Sequence, residues 1–234
     1  MVDFELSDGV TFIRVKRPEG IDAGSSVVLD GLDEAFVRVS REVDVRACVL
    51  LGADKYESSA VDEGGALEEA VRCQEVCDRI ERCPVPVIAA VEGPAAGCGC
   101  ELALACHLRI ASTRAHFGST ERLARLLGRE RAHAIRTAGA VISAEEALGA
   151  GLVCRLAAPD QLLAEAHSLA RTIAGLAPLA IRACLEAVTR GFELPLEEGL
   201  DLEAKLFSGL FSTEDVREGT RAFMEKRAPV FKGK

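Results

Sequence analysis

VPVIAAVEGPAAGCGCELALACHLRIAST, Val85–Thr113, passes from an apolar run through a glycine-punctuated turn into two more apolar runs. VPVIAAVEG is short, rich in Val and Ile, and bounded by Pro and Gly, so it reads as a buried strand. Gly93, Gly97 and Gly99 then allow tight or positive-φ backbone. The next run predicts a helix from near Cys100. HLRIAST (His107–Thr113) predicts another strand. Strand, turn, helix and strand at this spacing belong to a mixed α/β fold. Periodicity alone leaves a doubly wound sheet and a superhelix of β-β-α turns both open.

Working upstream, VTFIRVKR (Val10–Arg17) and RACVLLG (Arg46–Gly52) read as strands, and Val28, Leu29, Leu32, Ala35, Phe36 and Val39 recur at helical spacing between them. ADKYESSAVDEGG is polar and loop-like. ALEEAVRCQEVCDRIERC is a helix, stopped by PVP because Pro lacks an N–H and restricts its predecessor. Downstream the chain turns helical. Ser143 and Glu146 stand at capping-box spacing. PLAIRACLEAVTRG begins with Pro and ends with Gly, the order that suits a helix. LEEGLDLEAKLFSGLF and STEDVREGTRAFMEKR complete the set. The division expected is an α/β core over 1–155 and a helical C-terminal region over 156–234.

The 234 residues suit one domain, or one domain with a smaller appendage, and 49 % are apolar. A net charge of −9, with no basic stripe, argues against a nucleic-acid surface. No apolar run reaches the roughly 18–20 residues that span a bilayer. The N-terminus MVDFELSDGV has no basic head and no apolar signal core, so a cytoplasmic protein is expected. Nine cysteines, mostly among helix-like apolar residues, read as small hydrophobes. Cys98, Cys100, Cys106 and His107 invite a metal reading, but their spacing matches no zinc pattern, and no metal is expected.

The chemistry-bearing positions start from the glycine turn. The first N–H groups of a helix lack an internal partner and carry partial positive charge, so they receive anions, including an oxyanion formed during reaction. Glu101, read in the first turn, also suits the helix dipole, worth up to about 1 kcal/mol. GPAAGCG lacks the order of a dinucleotide loop, and a Glu beside it would repel pyrophosphate. Glu121, in AHFGSTE, is by itself an ordinary loop acid. Two carboxylates in one apolar site would differ, because like charge and desolvation push their pKa values apart.

VPVIAAVEGPAAGCGCELALACHLRIASTRAHFGSTE closely resembles the crotonase, or enoyl-CoA hydratase/isomerase, superfamily. So do ISAEEALGAGLV and the tail LFSTEDVREGTRAFMEKRAPVFKGK. The resemblance implies a β-β-α superhelical core, a helical trimerisation region, and a trimer or dimer of trimers. It implies an acyl-CoA thioester substrate, with coenzyme A as part of the substrate and no other cofactor. The oxyanion-hole N–H donors it implies are Cys98 and, in SSAVD, Val61. The acid/base pair it implies is Glu101 and Glu121. Asp62, Phe223 and Lys226 fall where relatives contact coenzyme A. The implied reaction adds water to a 2-enoyl thioester, one Glu taking the water's proton and the other delivering a proton to C2.

Three departures bear on that reading. Cys98 stands where relatives have Gly, at a cost if φ is positive. SSAVD is bulkier than the usual small-residue stretch. The Gly- and Pro-rich segment that follows the second Glu in relatives is absent, and Glu121 runs straight into RLARLLGRERAHAIRTAG. Arg122 and Arg125 are thereby expected close to Glu121, where they would favour its ionised form or hold a carboxylate on the acyl group. The alternatives to a hydratase are a double-bond isomerase or other pathway-specific reaction on a CoA or carrier-protein thioester, and a non-catalytic acyl-CoA binding or assembly protein.

Overall fold

The computed structural model describes residues 2–16, 25–52, 63–118 and 121–234. In chain order the elements are β1 (Val2–Ser7), β2 (Val10–Val15), α1 (Ser26–Arg41), β3 (Ala47–Leu51), α2 (Glu63–Glu81), β4 (Val87–Val91), β5 (Pro94–Ala95), α3 (Gly97–Ala105), β6 (Leu108–Ser112) and β7 (His116–Phe117). They continue as α4 (Glu121–Leu127), α5 (Arg129–Ala138), β8 (Ile142–Ser143), α6 (Ala144–Gly149), β9 (Arg155–Ala157), α7 (Leu162–Ala174), α8 (Pro178–Gly191), α9 (Leu196–Leu210) and α10 (Glu214–Glu225).

The larger sheet runs β1-β2-β3-β4-β6-β9, antiparallel only between β1 and β2. That hairpin turns on Asp8 and Gly9, both at positive φ, the geometry a two-residue turn requires. A parallel sheet must be covered on both faces, so its strands are apolar throughout. Along β4, Val87, Ala89 and Val91 face a core shared with α1, α2 and α3. Ile88 and Ala90 face the opposite layer, where Leu162, Ala166 and Ala170 of α7 close the sheet. The second sheet, β5-β7-β8, is short and lies beside the start of α3.

The predicted strands and helices of the first half recur within a few residues, and Ser143 and Glu146 form the full capping box. The expected division after residue 155 falls inside β9, and α7 belongs with the sheet because its apolar stripe covers it. Beyond Ala174 the character changes: α8 and α9 pack on each other and bury none of their residues fully. Among the described residues no single helix is long and apolar enough to cross a membrane, and α7 and α8, which pass only as a pair, are bent by 109°.

Two part-buried polar side chains tie the layers. Arg109 on β6 donates from Nε to Leu152 O (2.6 Å) and from its terminal nitrogen to Leu104 O (3.1 Å), fastening the end of α3 to the loop after α6. His107, between α3 and β6, accepts through Nδ1 from the Val87 N–H at 3.0 Å, so its ring is held neutral. Burial, the largest cause, pushes the imidazole down to about 4. As pH falls from about 6.5, the unfolded chain therefore takes up the proton first. The stability that neutral His107 contributes is complete above about 6.5 and is lost as pH falls to about 4. Urea unfolding at steps across that window is expected to show wild-type stability falling more steeply than that of His107→Gln, which keeps an acceptor but does not titrate. Parallel curves would refute the assignment.

Candidate active site

β4 carries the chain to Glu92–Gly93, β5 pairs with β7, and Ala96 caps α3 in extended backbone with no side-chain hydrogen bond. Gly97 takes the left-handed conformation at φ +50°. Cys98 does not, so the strain expected from a Cβ at that position is absent; the glycine before it makes the turn. The helix starts at Gly97, three residues earlier than predicted, which puts Cys98 in its first turn and Glu101 in its second. Glu101 is therefore not a first-turn acid. It stands one turn inside the helix, with Cys98 on the turn before it.

Glu101 is 22 % exposed and its two carboxylate oxygens have different partners. Oε1 accepts from the backbone N–H of Glu121 at 3.2 Å. Oε2 meets Arg122 Nε at 3.0 Å. The same guanidinium donates to Glu81 Oε2 (2.8 Å) and Asp78 Oδ1 (3.2 Å), both on α2. One cation thus joins α2, α3 and α4. Burial works against its charge. The hydrogen bond to Glu81, with the charges of Glu81 and Glu101, outweighs that and holds Arg122 above its ordinary pKa. Cys77, one turn along α2 from Cys73, is pushed up to about 12 by burial and is a neutral thiol.

Glu121 comes to this group by its backbone and not by its acid. Its side chain is 72 % exposed and pairs with Arg136 of α5 at 3.2 Å. The two arginines expected beside Glu121 lie otherwise: Arg122 turns to Glu101, and Arg125 is exposed in the last turn of α4. The physical reason is the direct entry of Glu121 into a helix. Side chains of consecutive helical residues diverge by about 100°, so Arg122 points inward and Glu121 outward.

Val61 and Asp62 lie outside the described residues. Phe223 is 82 % exposed on α10, and Lys226 ends that helix at φ +52°. The start of α10 is pinned by buried Asp215, which accepts from Lys232 N (2.7 Å) and Gly233 N (2.8 Å).

The sequence reading did not foresee the partner of Cys98. Cys73 of α2 and Cys98 form a disulfide, with Cα atoms 6.2 Å apart and a sequence separation of 25. Asp78, Glu81 and Arg136 were also not singled out. Nothing in a helix-spaced run of acids and arginines distinguishes a solvated face from one that meets another helix. The cysteines near the turn go to separate partners: Cys100 donates to Gly118 O and Cys106 to Leu102 O. Among the described residues no three His, Cys, Asp or Glu are grouped to hold a metal.

The sequence profile of the enoyl-CoA hydratase/isomerase family matches residues 5–234. Over 253 aligned residues the chain is 36 % identical to the (E)-benzylidenesuccinyl-CoA hydratase of Thauera aromatica, covering 99 % of each chain. It is 32 % identical to the short-chain-enoyl-CoA hydratase of Clostridium acetobutylicum, over 97 % of this chain and 95 % of that one. The solved structure of an enoyl-CoA hydratase from Bacillus anthracis superposes with a TM-score of 0.92 at 31 % identity, over 100 % of this chain and 99 % of the other.

Proposed function

From a chain that belongs to the enoyl-CoA hydratase/isomerase family, with its crotonase fold, we propose an enzyme that adds water to a 2-enoyl-CoA through a thioester enolate. The observation that carries this reading is the pairing on α3: a first-turn N–H at Cys98 and a fixed, partly buried carboxylate at Glu101 one turn on. The Cys98 and Val61 N–H groups receive the enolate oxygen, each such donor being worth about 3–4 kcal/mol of barrier. Glu101 takes a proton from water as the oxygen attacks C3, and the same proton goes from the Glu101 carboxyl to C2. Product and enzyme are then in balance, and Glu101 is again a carboxylate.

Glu121 has the lesser share. What supports this is its exposed acid beside Arg136, while its N–H steadies Glu101. A carboxylate on the acyl group falls to Arg125, because Arg122 already serves three carboxylates of the chain. Asp62, Phe223 and Lys226 serve coenzyme A, the last two from α10. The assembly is a trimer or a dimer of trimers built on α8 and α9, whose exposed Val188, Phe192, Leu196, Leu200 and Phe207 need a cover. A cytoplasmic setting accompanies this reading.

A second reading is favoured by the single inward carboxylate. One base suffices to move a proton between C2 and C4, as a double-bond isomerase does. Absorbance separates the two. Hydration of a short 2-enoyl-CoA removes the conjugated thioester band, and isomerisation of a 3-enoyl-CoA creates it. Loss of the band is the expected result. Gain of it with the 3-enoyl substrate alone makes the chain an isomerase. Neither change, with acyl-CoA binding by calorimetry, leaves a non-catalytic binding protein and overturns both.

A further inference from the structure

The Cys73–Cys98 bridge ties the proposed oxyanion turn to α2, and we propose that it is a reversible redox modification site, closed by a low-molecular-weight disulfide and opened by two equivalents of the corresponding thiol, that sets the order of the oxyanion turn. The regulatory half rests on the reading of Cys98 as an oxyanion donor.

Three observations lead here. First, the bridge ends inside the turn itself. Cys98 lies between Gly97, at positive φ, and Gly99, residues without a Cβ whose backbone freedom a cross-link restricts. Second, the bridge joins that turn to α2, the helix that begins at Glu63, immediately after Val61 and Asp62. One bond thus ties the Cys98 turn to that helix. Third, the face of α2 that bears Cys73 continues into Cys77, Asp78 and Glu81, and the last two grip Arg122 and through it Glu101. Donor and base therefore share one supporting helix.

Geometry selects this pair, since Cys73 and Cys98 are bonded while Cys154 and Cys184 are exposed and free, and chemistry sets the buried thiols aside. Burial raises the thiols of Cys48, Cys77, Cys83 and Cys106, with Cys77 near 12 and Cys83 near 11, so they stay protonated and inert. Cys98 is only part-buried and stands in the first turn of a helix, where negative charge is favoured. Its thiolate attacks one sulfur of a disulfide RSSR and releases RS⁻. Buried Cys73 gives up its proton to RS⁻ and attacks Sγ of Cys98, expelling the second thiolate, which takes the proton lost by Cys98. Two protein thiols are oxidised and RSSR is reduced to two RSH. In a reducing compartment such bridges are transient and redox-sensing instead of structural.

The bridged state is the active one, because a donor misplaced by about 1 Å costs up to about 10²-fold in rate. The test equilibrates the native protein in buffers of reduced and oxidised glutathione, blocks free thiols, and maps the blocked peptides by mass. Turnover of a 2-enoyl-CoA and calorimetric binding of an acyl-CoA are read on the same samples. The expected result is intramolecular two-electron exchange at Cys73 and Cys98, with exposed Cys154 and Cys184 forming mixed disulfides at most, and with kcat falling about tenfold on reduction and KM changing less. Cys73→Ser and Cys73→Ala should both behave like the reduced enzyme in every buffer, while their circular dichroism matches the wild type. Absence of exchange at this pair overturns the site. Exchange without any change in turnover or binding makes the bridge a passive staple and overturns the switch alone. Exchange with neither turnover nor acyl-CoA binding in either state overturns the acyl-CoA reading, and the switch with it.

Discussion

Glu101→Gln is expected to reduce hydration of a short 2-enoyl-CoA by about 10²–10⁴-fold in kcat, while acyl-CoA binding changes little. The amide keeps the size of the carboxyl and an oxygen for the Glu121 N–H, and although its NH2 replaces the oxygen that met Arg122, that guanidinium keeps Asp78 and Glu81 to hold the three helices together. It cannot take the proton of water. Glu121→Gln is expected to remain within about tenfold of wild type, because it changes an acid that faces solvent and Arg136 and leaves the backbone N–H in place. The pair of variants, followed by loss of enoyl-thioester absorbance, therefore reads the division of labour directly. Equal, complete loss in both would restore a two-carboxylate mechanism. Full activity in Glu101→Gln would remove Glu101 from the chemistry.

Phe207→Asp is expected to dissociate the assembly. Phe207 is exposed on α9, packs edge-on against Phe211 at 5.1 Å between ring centres, and lies on the same helical face as Leu196 and Leu200. Among the described residues α9 packs chiefly on α8, and neither helix has a fully buried residue, so that face stays open. Burying one such apolar side chain contributes about 1.5–3 kcal/mol. A charge in its place, repeated in every copy, reverses the sign at each equivalent contact. Light scattering coupled to size exclusion should show the mass of one chain in place of three or six. An unchanged elution profile would place the interface elsewhere. Because Phe207 supports nothing in the sheet, the thermal transition of the dissociated chain should report the α/β core.

Much of the fold was legible because its signals are local. The apolar runs of Arg46–Gly52 and Val85–Gly93 are bounded by residues that stop strands, and they became β3 and β4. Ser143 and Glu146 met across one helical turn, a contact that three-residue spacing alone ensures. β1 was missed although Asp8-Gly9 is a hairpin turn signal, because the strand before it is half exposed and carries acids. The start of α3 was misplaced by three residues because glycines at 97 and 99 read as turn, while Gly97 alone turns and Gly99 is already helical.

The chain order by itself determined a strand, a glycine turn and a helix bearing Cys98 and Glu101, and with it the family resemblance that the matching profile bears out. Backbone geometry and side-chain period act over a few residues, so they are written in the local sequence. Only the tertiary structure decided what those residues meet. Cys73 reaches Cys98 across 25 positions, Arg122 reaches back to Asp78, Glu81 and Glu101, and Glu121 offers Glu101 its N–H instead of its acid. Each of these depends on how α2, α3 and α4 are packed and rotated against one another. A helix carries its side chains to all sides, and the sequence does not mark which of them a neighbouring helix will cover.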